Sequence, residues 1–320
     1  MVVVVVLFLL GFLLLIKGGD WFVDGATGIA HRFHLPELLI GATVVSIGTT
    51  LPEVMVSSQA ALQHNSGISY GNAIGSIICN TALIAALTIA VRPSEVDRKP
   101  LRLPVAGFFL AAVFYSVIAY TTGEFHRYHG IILLAMFVAY MIISVKEMKQ
   151  DNGAEAEQEE TTEQPLFKDL LLLVAGAAAI AVGANLLVNN GTIIAEALGV
   201  PSSVIGLTMV ALGTSLPELI TAVTALRKGY SALSLGNIIG ANLFNIILVS
   251  GAAITISPFH VPAEKTLLGM NSSLLIDIPV MLGVMLILCV PALKNGKLAR
   301  WQGVSLLCIY AVFILYQFLI

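Results

Sequence analysis

A single offset of 165 residues lays the second half of this chain on the first without a gap. It aligns Gly18 with Gly183, Pro36 with Pro201, Glu53 with Glu218, Gly71 with Gly236 and Asn80 with Asn245, and over residues 36–53 ten of eighteen positions are identical. Each half holds five apolar runs of spanning length, roughly 20 residues apiece. They fall near 2–30, 38–62, 71–91, 103–122 and 130–146, then near 167–195, 203–226, 236–257, 267–293 and 300–320. Five spans is an odd number, so the second copy must enter the membrane from the opposite side. The expected fold class is therefore an all-α integral membrane protein of ten transmembrane helices, built as two inverted five-helix repeats with a site at the midplane between them. The first repeat covers 1–146, an acidic linker without bulky apolar residues covers 147–166, and the second repeat covers 167–320.

Composition agrees. At 58% hydrophobic and 11% charged, with mean hydropathy +0.93, the chain is too apolar for a soluble globule, and the lipid bilayer is its partner. A net charge of −3 leaves no basic footprint for nucleic acid. The opening MVVVVVLFLLGFLLLIKGGDW lacks a basic region ahead of its apolar run and an A-x-A site, so it is expected as a retained first helix rather than a cleaved signal. Loops after odd-numbered helices carry thirteen Lys and Arg against two, Arg127 and Lys265, on the other face. That bias places the linker in the cytoplasm and both termini outside. With short loops and no targeting segment, a cell (inner) membrane is expected.

Two duplicated stretches carry the chemistry. Residues 41–53 read GATVVSIGTTLPE and 206–218 read GLTMVALGTSLPE. Proline has no N–H and clashes with the carbonyl about four residues earlier, so Pro52 and Pro217 are expected to interrupt their helices and free carbonyls near Gly48, Thr49, Gly213 and Thr214. Loosened backbone at membrane depth is tolerated only inside protein or along a cavity. Glu53 and Glu218 stand beside it, and a carboxylate in a span costs roughly 3 kcal/mol or more, which marks both as functional. Ser46, Thr49 and Thr50 precede Glu53 by seven, four and three residues and so share its helical face; Ala211, Thr214, Ser215 and Glu218 repeat the spacing. Oxygen donors around two acids suit a hard cation.

Residues 71–80 read GNAIGSIICN and 236–245 read GNIIGANLFN, each opening the next apolar run. Small residues there permit close helix approach. Ser76 and Asn80 share a face that can address the neighbouring glutamate, and Asn245 is the partner of Asn80. Taken singly these amides would be read as interhelical hydrogen-bonders; their symmetric pairing with the acids argues for a site.

These four motifs, in this order, together with the helix count, the linker and the duplication, resemble the sodium/calcium exchangers of the calcium:cation antiporter superfamily, specifically the prokaryotic members. The resemblance covers nearly the whole chain. It implies a secondary active antiporter, not an enzyme, that exchanges sodium for calcium by alternating access at a midplane cluster of cation sites. No cofactor is implied; calcium and sodium are the cargo. By the same resemblance Glu53 and Glu218 with the carbonyls of Thr49 and Thr214 bind calcium. Ser46, Thr49, Thr50, Glu53 and Ser76 form one sodium site; Ala211, Thr214, Ser215 and Glu218 form its counterpart; Asn80 and Asn245 face the centre. Each half needs only the other to complete the site, so a functional monomer is expected. Two residues depart from the pattern. Ala241 stands where a serine matching Ser76 is common, which weakens one sodium site. Asn245 stands where potassium-dependent relatives carry aspartate, which speaks against potassium.

The alternative is a proton/calcium or other cation/calcium antiporter, which would not need the array of hydroxyls. A channel, an intramembrane metalloprotease and a non-transporting scaffold fit less well: no HExxH set or nucleophile appears, and a scaffold leaves the acids without a purpose. Gly18, Gly19 and Gly183 either ease sliding of the first and sixth helices or simply pack them. Asp20 and Asp24 are expected near a helix end, His31 and His34 as solvated loop residues, and His64, His126, His129 and His260 as isolated loop residues. Cys79, Cys289 and Cys308 are expected as inert core thiols. Asp277 is either a structural partner or faces a water-filled crevice.

Overall fold

A computed structural model describes residues 1–151, 165–198, 211–263, 266–267 and 269–319. Most of the linker, the opening of the second glutamate motif (201–210) and Lys265 lie outside the described residues. Ten helices make up nearly all of what is described: α1 (Val2–Arg32), α2 (Glu37–Leu62), α3 (Ser66–Val91), α4 (Arg98–Thr121), α5 (Arg127–Asp151), α6 (Leu166–Ala197), α7 (Ala211–Lys228), α8 (Ser231–Ile256), α9 (Ser273–Asn295) and α10 (Arg300–Leu319). Eight of them, all but α7 and α10, have the length and hydropathy to cross a membrane. Their exposed faces carry Val2, Leu13, Leu110, Ile131 and Leu171, side chains that lipid rather than water solvates.

Two packing units share the molecule. The larger core is formed by α3, α4, α8 and α9 around Ile77, Phe108, Tyr115, Ile246 and Met285. The smaller joins α1 to α6 through Leu15, Phe22, Val23 and Ile180, and reaches α2 at Ile40 and Val45. Along α1, Gly11, Gly18 and Gly25 recur every seven residues, and a Cβ on each would meet the backbone nitrogens of Leu187, Ile180 and Leu173 in turn. The partner number falls by seven as the glycine number rises by seven, so α1 and α6 run antiparallel. Their backbones touch along the whole seam, as small residues allow in membranes.

Short antiparallel ribbons tie the halves together at both ends of α4. At its N-terminal end β1 (Ser94–Glu95) pairs with β6 (Lys297–Leu298), and at its C-terminal end β2 (Glu124–Phe125) pairs with β3 (Phe259–His260). Both ribbons therefore join the first half of the chain to the second. The end carrying β1 also holds the last turn of α7, where Arg92 donates to the Leu226 carbonyl at 3.3 Å.

Several expectations are corrected. The ninth helix begins at Ser273 rather than near 267, because a hairpin of β4 (Thr266–Leu267) and β5 (Met270–Asn271) turns through left-handed Gly269 before it. The fifth helix continues past 146 to Asp151. Cys308 is exposed on α10 rather than in the core, while Cys79 and Cys289 are buried. Asp20 and Asp24 lie well within α1 rather than at its end: Asp20 pairs with Arg227, and Lys228 reaches Asp24 at 2.6 Å, which fastens α1 to the end of α7. Arg32 pairs with Asp169 at 3.2 Å at the α1–α6 crossing. His126 and His129 are not isolated; their rings lie 5.6 Å apart beside Tyr128, and His129 is buried. His64 bonds Ser257 at 3.0 Å. Asp277 accepts from Gln317 at 3.1 Å, which favours the structural reading of that acid.

Candidate functional site

The site is assembled where α2 of the first half crosses α8 of the second. Glycine makes that crossing possible: a Cβ on Gly41 would lie 2.8 Å from the Asn237 nitrogen, one on Gly240 would lie 2.6 Å from the Ala42 Cα, and one on Gly236 would lie 3.0 Å from the Leu38 Cα. Backbone therefore packs on backbone, and the polar residues of the two motifs are drawn together.

The expected interruption of α2 takes another form. The helix runs on through Pro52, and the described part of α7 runs on through Pro217. The irregularity is a π turn at Gly41–Val45, one turn before Ser46. Two more π turns start at the site asparagines, Asn80–Ala85 in α3 and Asn245–Ser250 in α8. A π turn shifts the i→i+4 ladder and leaves carbonyls to be satisfied otherwise. Tyr140 takes that of Ala42 at 3.0 Å and Ser250 Oγ bonds that of Asn245 at 3.0 Å, while Ser46 Oγ, at 2.7 Å, joins its own N–H on the Gly41 carbonyl. Prolines at 52 and 217 still withhold N–H groups from the carbonyls of Gly48 and Gly213. The loosened backbone is present without a break in the helix.

Glu53 and Glu218 are each 0% exposed, and they lie within Coulombic range of each other. None of the four carboxylate oxygens accepts a hydrogen bond. The same holds for Thr50 Oγ1, Ser215 Oγ and both amide atoms of Asn80 and Asn245, all buried. Buried polar atoms normally find partners, and leaving one unpaired costs about 1–3 kcal/mol. Here they belong to α2, α3, α7 and α8, four helices that pack on one another. Two close carboxylates cannot be stabilised in apolar surroundings without positive charge. These unpartnered donors are carboxylates, hydroxyls and amides, so the arrangement is chemically suited to hard cations.

The family described as "Sodium/calcium exchanger protein" matches residues 3–146 and 168–319, nearly all of the chain. The chain belongs to that family. Sodium/calcium exchanger MaX1 of Methanosarcina acetivorans is 33% identical over 349 aligned positions, covering 98% of this chain and 97% of MaX1. The inner membrane protein YrbG of Escherichia coli is 37% identical over 265 positions, 81% of each chain. Solved structures of the sodium-calcium exchanger NCX_Mj superpose with TM-scores of 0.81 to 0.82; the one soaked with zero Na+ and Ca2+ is 35% identical and covers 99% of this chain and 100% of that one. Family membership, near-complete coverage and a shared fold all agree with the resemblance carried by the four motifs.

Of the residues singled out from sequence, Ser46, Thr49, Thr50, Glu53, Ser76, Asn80, Ser215, Glu218 and Asn245 are buried, and Thr214 is half-buried on α7. For Ala211 only the backbone is described. The hydroxyls divide into two kinds. Those of Thr50 and Ser215 have no partner, whereas that of Ser46 bonds the Gly41 carbonyl and that of Thr49 bonds Asn237 Oδ1 at 3.1 Å. Sequence reasoning overlooked the asparagine that opens each second motif. Asn72 donates to Ser57 Oγ at 2.9 Å and to the Glu53 carbonyl at 3.2 Å; Asn237 donates to Thr221 Oγ1 at 2.9 Å. Each anchors its helix on the helix that carries the acid. The signal was available, because Asn72 and Asn237 coincide at the 165-residue offset.

Proposed function

We propose that the chain is a secondary active antiporter exchanging sodium for calcium at the cluster centred on Glu53 and Glu218. The observation that carries this is the pair of fully buried carboxylates whose four oxygens accept no hydrogen bond, in a chain of the sodium/calcium exchanger family. One divalent ion, or several monovalent ions spread over neighbouring oxygens, neutralises the pair; partial loading leaves uncompensated charge in apolar surroundings. Reorientation only when loaded couples the two fluxes. Calcium takes Glu53, Glu218 and the carbonyls of Thr49 and Thr214. Sodium is held by Ser46, Thr49, Thr50, Glu53 and Ser76 on one side and by Ala211, Thr214, Ser215 and Glu218 on the other, with Asn80 and Asn245 facing the centre.

The chain crosses the membrane ten times, as two five-helix repeats of opposite orientation. Three observations support this. The repeat-equivalent helices α1 and α6 run antiparallel along their glycine seam. The strands following the equivalent helices α3 and α8, β1 and β3, lie at opposite ends of α4. The ribbon strands β1 and β3 are themselves 165 residues apart. Arg92, Arg227, Lys228 and Lys297 lie toward the β1–β6 end, and by the basic-loop rule they support a cytoplasmic location for that end, with both termini outside. Each half completes the site of the other, so a monomer in the cell membrane suffices.

Calcium uptake into proteoliposomes tests the reading. Internal sodium should drive uptake of radioactive calcium, and potassium or an acid interior should not. Glu53→Gln and Glu218→Gln should each abolish it while the protein still inserts and stays monodisperse. Uptake driven by the proton gradient would favour the proton/calcium alternative.

A further inference from the structure

A chain of side-chain hydrogen bonds runs from Thr49 of the first half into the second, and its direction is fixed at the far end. Thr221 Oγ1 lies 2.9 Å from the Pro217 carbonyl oxygen and 3.0 Å from that of Glu218. A carbonyl only accepts, so the Thr221 hydroxyl donates there. The atom of Asn237 that sits 2.9 Å from Thr221 Oγ1 is then the amide nitrogen, donating. That orientation turns Asn237 Oδ1 toward Thr49, 3.1 Å away. Of the carbonyl-type acceptors around Thr49 Oγ1, Asn237 Oδ1 at 3.1 Å is nearer than the Ser46 carbonyl at 3.5 Å, so the Thr49 proton goes to Asn237. Ser46 obeys the same logic, because its hydroxyl faces two backbone carbonyls, Gly41 at 2.7 Å and Asn237 at 3.0 Å.

A hydroxyl binds a cation only through its lone pairs, and its proton must be disposed of elsewhere. We infer that Asn237 is a positioning residue for the cation site: held in one orientation by Thr221, it accepts the Thr49 proton and so presents the Thr49 oxygen to sodium as an acceptor alone. Asn237 spends its amide nitrogen on Thr221 and its amide oxygen on Thr49, and Thr221 spends its proton on the α7 carbonyls, so both act through Thr49 rather than as ligands. The relay also crosses the halves: the oxygen lies on α2, its orienting amide on α8, and the anchor on α7 next to Glu218. Calcium is served by carboxylates and backbone carbonyls, which carry no proton to be placed. The relay therefore acts on sodium and spares calcium. This inference rests on the sodium/calcium reading of the site.

The test compares two half-saturation constants in proteoliposomes for the unmutated protein, Thr221→Val, Thr221→Ser and Asn237→Ala. One is that of sodium driving calcium uptake; the other is that of calcium in sodium-free calcium self-exchange. Thr221→Val is nearly isosteric but cannot accept from or direct Asn237. It should raise the sodium constant about fivefold, the weight of one neutral hydrogen bond, and leave the calcium constant within about twofold. Thr221→Ser should restore the sodium constant, and Asn237→Ala should reproduce the valine effect. Equal movement of both constants, or movement of neither, in Thr221→Val overturns the positioning role even if Asn237→Ala fails to insert. Calcium self-exchange with no sodium-driven calcium uptake in the unmutated protein would instead overturn the exchange reading beneath it.

Discussion

Gly240→Ala asks how tightly the α2–α8 crossing sets the site. The added carbon would stand 2.6 Å from the Ala42 Cα and 2.7 Å from the Ala42 carbonyl oxygen, besides meeting Ser46 Oγ. Both atoms are backbone of α2, which has no rotamer to change. Ordinary contact begins near 3.4 Å, so α2 must retreat by about 0.8 Å, the difference from 2.6 Å. The Ser46 bond to the Asn237 carbonyl, 3.0 Å, and the Thr49 bond to Asn237 Oδ1, 3.1 Å, would then stretch beyond hydrogen-bonding range. Overpacking of this kind costs about 1–3 kcal/mol of stability, and a displacement near 1 Å at a reacting centre can cost up to about a hundredfold in rate. Sodium-driven calcium uptake in proteoliposomes should fall by about tenfold or more, with the protein still folded. Gly283→Ala on α9, where an added carbon meets nothing within 4 Å, should transport normally. Normal uptake by Gly240→Ala would refute the claim that backbone contact at this crossing sets the geometry of the site.

Ala241→Ser supplies the hydroxyl that its repeat mate Ser76 already provides; it should lower the sodium half-saturation constant severalfold, read by sodium titration of calcium uptake. Gly18→Val places a branched side chain 2.9 Å from the Ile180 nitrogen in the α1–α6 seam, and should lower the melting temperature in detergent by the equivalent of about 1–3 kcal/mol. Arg32→Gln leaves the mostly buried Asp169 carboxylate without its ion-pair partner at 3.2 Å, and should cost about 1–3 kcal/mol in the same melt.

Much of the architecture was legible because apolar length and duplication are one-dimensional signals. Runs of spanning length need no knowledge of partners, and eight of them stand in the described structure as helices able to cross a membrane. What could not be read was local. The hairpin at Thr266–Asn271 replaces residues that sequence assigned to the ninth helix, because Leu267 and Leu268 look helical until Gly269 takes its left-handed turn. Asp20 and Asp24 read as helix-end residues because their partners, Arg227 and Lys228, lie some two hundred positions away and are close only through the α1–α7 crossing.

The site shows the same division at finer grain. Glu53 and Glu218 announce themselves through the cost of a carboxylate in an apolar run, a property of the residue and its neighbours in sequence. Hydrogen-bond polarity is not such a property. Ser46, Thr49, Thr50 and Ser215 are interchangeable as oxygen donors on a helical face, yet Thr50 and Ser215 have no partner whereas Ser46 and Thr49 are committed outward, to Gly41 and to Asn237. That distinction depends on which carbonyls the π turn at Gly41–Val45 releases and on where Asn237 arrives from the other half. Proline at 52 suggested a broken helix because it removes one N–H, but the helix absorbs that loss and places its irregularity a turn earlier, beside the glycine crossing with α8, where the Tyr140 hydroxyl takes the Ala42 carbonyl. The acids can be found from one chain segment; the orientation of the oxygens around them exists only once both halves have met.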